Sequence, residues 1–287
     1  MSRVEATRED GTAFPASFLA GDPEAVSAWD DLPLWSAPFG QVLLEAVRPG
    51  PDLRALDVGC GTGFPLLELA DRLGPGALVW GLDPWGPALE RVRLKARARG
   101  VANVQVVQAP AEEMPLEDAS FDLIVSNNGL NNVQDALGAL RECRRVARPG
   151  AQLVFTANLP ETFSSFYRSL EKVLGSRGEE ARLSALRRHI REKRKPAAEW
   201  VRLATLAGWD LRGLRRETFA WTFADGSAFL SHAFIRLAFL PSWRALLPEG
   251  LEDQVLGEVE DLLDGLARLH RGLRMEVPFL CLDCMAA

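Results

Sequence analysis

The chain is poor in the side chains that most often carry acid–base or covalent chemistry. Its 287 residues include three histidines, four cysteines and a single tyrosine. Cys60, Cys143, Cys281 and Cys284 are too few and too scattered for a disulfide framework. Cys281 and Cys284 have metal-pair spacing, but a structural zinc needs about four ligands and no second pair exists. On one strand, residues three apart also face opposite sides, so no metal site is expected. Lysine is scarce, four against 29 arginines, which reads as codon bias. No apolar run reaches the ~18–20 residues of a membrane-crossing helix. Residues 1–14 lack the apolar stretch of a secretion signal, so the expectation is a cytoplasmic protein. A net charge of −6 argues against a general nucleic-acid binder. One basic run, Arg187 to Lys195, has six Arg or Lys in nine residues. It carries no interleaved aromatics, and a solvated helix end explains it as well as phosphate contact does.

The pattern that is present centres on Ala55 to Phe64, ALDVGCGTGF. Four strand-like residues run into Gly59, Gly61 and Gly63, and the helix-length run Leu66 to Leu73 follows. A strand feeding a helix through glycines brings backbone N–H groups and a helix N-terminus to a ligand. A second strand, 77–82, ends in Asp83, placed to hold two ribose hydroxyls of a nucleoside cofactor. Continuous apolar strands then alternate with helices: helix 87–99, strands 104–107 and 121–126, helix 134–147, strand 152–157, helix 197–207 and strand 214–223. The last strand, 275–282, closes the set. The expected fold is α/β, a doubly wound, mostly parallel seven-stranded sheet with helical cap insertions and its ligand across the strands' carboxyl ends.

Composition divides the chain into six segments. They are an N-terminal helical or lid segment, 1–50; a cofactor-binding core, 51–159; and a helical insertion, 160–196. The core resumes at 197–225, a second insertion spans 226–272, and the last core strand lies in 273–287. Residues 1 to about 25 read as a polar, loosely ordered leader. Insertions of this size in an α/β domain point to a substrate cap.

Further motifs stand in order downstream: GLDP at 81–84, AEEMP at 111–115, SFDLIVSN at 120–127, RECRRVARPG at 141–150 and LATLAGW at 203–209. Together with the glycine turn, they resemble the class I S-adenosylmethionine-dependent methyltransferases, and in particular the ubiquinone/menaquinone-biosynthesis type (methyltransferase type 11). The resemblance implies that S-adenosyl-L-methionine is the cofactor. It places Gly59 and Gly61 against the methionine part, with Asp57 near the ammonium and Cys60 and Gly63 also in the cofactor-binding loop. Asp83 would take the ribose hydroxyls, with Pro84 and Trp85 beside the adenine. The Ala111–Glu112 backbone would read the ring edge, and Asn127 would face the methionyl group. Pro110 stands where many members carry an acidic adenine contact, and a proline offers neither side-chain acceptor nor N–H. Histidines common after this strand are replaced by Gly129-Leu130-Asn131-Asn132. The Asn-Pro-Pro-aromatic signature of many amino-group methyltransferases acting on nucleic acid or protein is absent too.

The aromatics outside the sheet suggest a substrate pocket walled by Trp29, Trp35, Phe39, Phe163, Phe166, Phe234 and Phe239. Catalytic candidates are few: His232, which precedes the aromatic run of the second insertion, with Tyr167 and Asn128. His189 and His270 sit beside arginines and read as solvated. Methyl transfer from a sulfonium is an in-line displacement that needs alignment and a base only where the acceptor must lose a proton. The expected partner is a small, apolar or aromatic metabolite, with nucleic acid disfavoured. An RNA methyltransferase using 187–195, and a cofactor-binding protein without catalysis, are the alternatives.

Overall fold

The computed structural model describes residues 23–287. The expected leader therefore lies almost wholly outside the described residues. Seven strands form one sheet: β1 (Arg54–Val58), β2 (Leu78–Leu82), β3 (Val104–Val107), β4 (Phe121–Asn127), β5 (Ala147–Asn158), β6 (Trp209–Phe223) and β7 (Leu273–Ala286). Their order is β3-β2-β1-β4-β5-β7-β6, and β7 alone runs antiparallel to its neighbours. The chain reverses winding direction between β1 and β4, which opens the crevice where such sheets hold their ligands.

Helices cover both faces. Two N-terminal helices, α1 (Pro23–Asp30) and α2 (Pro33–Ala46), are followed by α3 (Leu66–Leu73) and α4 (Gly86–Arg99). On the other face lie α5 (Ala136–Val146) and, after the first insertion, α8 (Ala197–Leu206). Helix α2 starts at Pro33, which presets the first helical turn, and buried Trp35 and Phe39 hold it down. The first insertion forms α6 (Ser164–Ser176) and α7 (Glu180–Lys193). The second forms α9 (Gly226–Ser231), α10 (Ala233–Ala238), α11 (Leu240–Arg244) and the long α12 (Glu252–His270).

How these insertions reach the site follows from strand lengths. Strand β5 pairs with Phe279–Met285 of β7, whereas Leu273–Pro278 pairs only with Thr218–Phe223 of β6. A two-stranded arm thus projects past the carboxyl end of β5. Its Phe219, Trp221, Phe223, Met275 and Val277 join α2, α6 and the second insertion in a single apolar cluster. The cap is therefore a second core built over the sheet's carboxyl edge. The β6 strand starts at Trp209 rather than 214, because an edge strand tolerates the exposed Asp210, Arg212 and Arg216 that hide its apolar alternation.

Candidate functional site

The glycine turn after β1 has positive φ at Gly59 (76°), Gly61 (51°) and Gly63 (105°), which other residues adopt only under strain. Its hydrogen bonding corrects the expectation of bare N–H groups. Gly59 and Cys60 donate to the Leu82 carbonyl at 2.7 and 3.1 Å, and Gly61 donates to Asp83 Oδ2 at 2.9 Å. The turn is thus tied to the end of β2, and its glycines serve close approach instead. A Cβ on Gly61 would project into open space, so this backbone is bare toward a ligand. Cys60 is buried, and burial pushes its thiol up, out of reactive range.

Asp83 is oriented by two backbone donors, Gly61 N–H on Oδ2 and Trp85 N–H on Oδ1, each at 2.9 Å. Burial raises its pKa, and those two bonds oppose the rise. Asp57, at the end of β1, is fully buried, and neither carboxylate oxygen has a hydrogen-bond partner. Burial, with the charge of Asp83 beside it, pushes its pKa up to about 8. The Leu66 N–H at the start of α3 opposes this weakly without reaching hydrogen-bond geometry. A buried carboxylate without a donor is costly unless a cation or donor completes it. The site thus fits a ligand with an ammonium near Asp57 and vicinal hydroxyls at Asp83.

The remaining expected contacts divide. Ala111 is buried, and neither it nor Glu112 donates its backbone N–H to a protein acceptor among the described residues. The Glu112 carboxylate instead accepts from Gln134 and Asp135 N–H at 2.8 and 3.2 Å, fastening the loop before α5. Pro84 is exposed, whereas the Trp85 ring is buried against Val26 and Ala88 under α1. Asn127 does not stand free at the end of β4. Its amide donates to the Ser36 carbonyl of α2 at 3.1 Å and accepts from Thr156 Oγ1 at 3.1 Å. The N-terminal helix is thereby hooked to the strand end nearest the glycine turn.

Beside Asn127 lies an amide cluster that composition did not reveal. Asn128, at φ 58°, accepts on Oδ1 from Asn131 Nδ2 at 2.6 Å and from Asn158 N–H at 3.0 Å. Asn131 also donates to Asn158 Oδ1, and its own Oδ1 is buried without a partner. Asn128 is thus a loop clamp and not a proton-transfer group. The density of asparagines at 127, 128, 131 and 132 is the one sequence signal that pointed there. Gly129 brings this loop onto the glycine turn, since a Cβ there would sit 2.7 Å from the Val58 carbonyl and 2.9 Å from Ser126 Oγ. Gly129→Ala is therefore expected to cost about 1–3 kcal/mol in chemical denaturation, and an unchanged midpoint would refute this close approach.

Of the expected pocket aromatics, Trp29, Trp35 and Phe234 line a cavity of about 270 Å³ together with Thr62, Gly63 and Phe64 of the glycine turn. Trp35 and Phe234 stack at 4.9 Å. Phe64, the end of the glycine stretch, was not among the expected pocket residues, yet a Cβ on Gly40 would meet its ring at 2.3 Å, so it seats α2. Phe39, Phe163 and Phe166 are instead wholly buried in the cap core, and Phe239 bridges Trp35 and Trp243 at 5.5 and 5.4 Å. These four act as the wall behind the cavity, because packing them against Phe279 and Trp243 removes more apolar surface from water than facing a groove. Asp30, at the end of α1, pairs with Arg91 and Lys95 of α4 at 2.7 and 2.6 Å across one side of this cavity. Burial pushes the Asp30 carboxyl up, but Lys95 and Arg91 outweigh it and hold the pKa below its ordinary value. A depressed pKa gives stability that is present at neutral pH and lost as pH falls through the folded value. Asp30→Asn is expected to speed amide exchange in α1 several-fold at pH 7, with little further change in acid. Equal exchange in both proteins at pH 7 would remove the latch.

The weak catalytic candidates lie apart from the turn. Tyr167 is a buried core residue whose hydroxyl accepts from Trp243 Nε1 at 2.9 Å and Arg194 Nη1 at 3.1 Å. His232 is half-buried against Trp221, at 5.2 Å between ring centroids, and desolvation lowers its pKa. His189 is not solvated as expected: burial, with Arg194 and Lys193 beside it, lowers its pKa to about 4. The basic run is likewise not a uniformly solvated face, since Arg194 turns inward and is only 3% exposed. Cys281 and Cys284 are buried in β7, where burial pushes both thiols up to about 12. Among the described residues no group of three or more metal-ligating side chains occurs. No described helix is long and apolar enough to cross a membrane.

Residues 56–155 match a family model described as a methyltransferase domain. These residues carry a methyltransferase domain of the class I, S-adenosylmethionine-dependent type. Over 113 residues, 39% of the chain, it is 38% identical to demethylmenaquinone methyltransferase of Geobacillus kaustophilus. The chain spans about half the length of the curated relatives it matches, 48% in that case. Among solved structures, a putative methyltransferase from Bacillus halodurans C-125 superposes over 86% of this chain and 97% of its own, with TM-score 0.57 and 16% identity. Geranyl diphosphate C-methyltransferase from Streptomyces coelicolor, solved with S-adenosyl-L-homocysteine, covers 88% of this chain and 76% of its own, with TM-score 0.53 and 15% identity. Those likenesses bear on the fold. The methyltransferase family match ends at Phe155, before both cap insertions.

Proposed function

We propose that the whole protein transfers the methyl group of S-adenosylmethionine to a small apolar or aromatic molecule. The observation that carries this reading is the aromatic cavity of about 270 Å³ abutting the glycine turn. The bound cofactor supplies a sulfonium methyl with a neutral leaving group. The protein's share is to orient and to exclude water: Asp83 and Asp57 hold the cofactor, the glycine backbone lets it approach, and α1 and α2 roof the site. His232 stands behind Trp221, so the acceptor is one that is already nucleophilic or loses its proton to solvent. A demethylated menaquinone, the acceptor in several relatives' names, is one molecule of this class. The inward turn of Arg194 removes a cation from the surface that RNA binding would require.

Incubation with methyl-labelled S-adenosylmethionine and a panel of naphthoquinols, phenols and apolar amines tests the proposal. Transfer of label to at least one extractable small molecule is expected. Label transfer only to RNA, or cofactor binding with no transfer to any panel member, would overturn it.

A further inference from the structure

Between α6, α12 and the start of β7 the cap carries an open groove of about 860 Å³, which shares no lining residue with the cavity at the glycine turn. Its charged lining is of one sign. Arg168 and Lys172 of α6 meet His270, Arg271 and Arg274 there, and no carboxylate lines it among the described residues. Arg168 and Lys172 stand four apart on one helix, where like charges repel. The Arg168 guanidinium donates only to Ser164, to its carbonyl at 3.3 Å and its hydroxyl at 3.1 Å. Lys172 and Arg271 have no ion-pair partner among the described residues, and Arg274 pairs only with exposed Glu276, at 3.3 Å. The dipole of α12 favours cations in its last turn, which accounts for Arg268 and His270. It does not account for the pair on α6. Nor does it account for Arg271, which ends α12 at φ 57°, where glycine is the easier residue.

A second observation is apolar. Leu262 and Leu266 line the groove and pack inward on the cap core. One turn on, along the same face of α12, the stripe leaves the core at Leu269. That side chain is 73% exposed, the most exposed large apolar one among the described residues, and it stands between Arg268 and His270. A protruding leucine ringed by cations is the pattern that enters a lipid boundary under phosphate headgroups. Single-stranded nucleic acid would instead call for rings to stack on, and the groove holds none. The net charge of −6 makes the attraction local, so it also selects which face approaches an anionic surface.

We propose that this face of the cap docks on an anionic lipid membrane, with Arg168, Lys172, Arg271 and Arg274 on headgroup phosphates and Leu269 in the acyl boundary. The docking is independent of which molecule accepts the methyl group.

The test floats the full-length protein with vesicles of phosphatidylcholine alone or of phosphatidylcholine with phosphatidylglycerol. Binding to the anionic vesicles is expected to be about tenfold or more tighter, and to weaken as salt rises. Arg168→Glu combined with Lys172→Glu should reduce it about tenfold or more, and Leu269→Ser should reduce it severalfold. These three side chains are exposed, so the variants should melt with the unaltered protein. Arg188→Glu combined with Arg191→Glu, which reverses exposed cations of the basic run on α7, should leave binding unchanged. Equal binding to the two kinds of vesicle, or binding to neither, would overturn the docking. So would anionic binding that survives both groove variants, or an equal loss in the α7 variant. Displacement by diphosphate at matched ionic strength would mean a small-anion site instead, and tighter capture of polyuridylate than of anionic vesicles would mean a nucleic-acid surface. Either result would overturn the proposal.

Discussion

Asp83→Ala should weaken S-adenosylmethionine binding by at least about a hundredfold. The carboxylate is placed to accept two hydroxyl hydrogen bonds, and charged bonds of this kind contribute about 1.5–3 kcal/mol each. The same substitution leaves the Gly61 and Trp85 N–H groups without their acceptor, so the turn that lets the cofactor approach loosens as well. Asp83→Asn retains the size and one acceptor oxygen but turns an amide donor toward one of those N–H groups. It should fall between the alanine variant and the unaltered protein. Equilibrium dialysis with labelled cofactor checks the order. An alanine variant within about threefold of the unaltered protein would mean that the ribose is held elsewhere.

The second large effect concerns pH. Asp57 has its pKa pushed up to about 8 from an ordinary 3.8, chiefly by burial. The folded, cofactor-free protein therefore keeps a proton on Asp57 through a range where the unfolded chain has released it. Stability then falls as pH rises, wherever the folded state binds more protons than the unfolded state. The contribution is full below the unfolded pKa, declines between about pH 4 and 8, and is flat above. Asp57→Asn cannot ionise, so relative to it the unaltered protein should lose several kcal/mol across that window. Chemical denaturation of both proteins at pH 5, 7 and 8.5 isolates this term from all other titrating groups. Cofactor binding should run in the opposite sense. A ligand ammonium favours the ionised carboxylate, so affinity rises toward pH 8 with release of a proton, visible as a dependence of binding heat on buffer. A stability difference that does not change with pH would show that Asp57 titrates normally.

Much of this arrangement was legible before the structure, and the reasons are local. Glycines at positive φ, continuous apolar strands and an acidic residue at the end of β2 are each dictated by nearest neighbours, so the sheet and its winding followed, with Asp57 and Asp83 at the ends of β1 and β2. The hydrogen bonds of the turn did not, because whether Gly61 N–H faces a ligand or Asp83 depends on how two loops meet across 22 residues. Helix α2 runs through Pro38, a residue that ordinarily breaks helices, because burial of Trp35 and Phe39 outweighs it. Edge strand β6 was cut short because one side of it is wet. The expected pocket aromatics share one apolar cluster, but which of them face the cavity and which pack behind it is decided by helix phase at long range. Arg194 was hidden most completely. In a run of six cations nothing local says which one turns inward, and only Tyr167, 27 residues earlier, and Phe239, in the other insertion, reveal it.

Calorimetric titration of the full-length protein with S-adenosylmethionine at pH 8 bears most directly on the central claim. Saturable binding of one cofactor per chain, abolished by Asp83→Ala and accompanied by less proton release in Asp57→Asn, is the expected result. Absence of binding to the folded protein, or binding untouched by both substitutions, would contradict the site described between β1, β2 and β4.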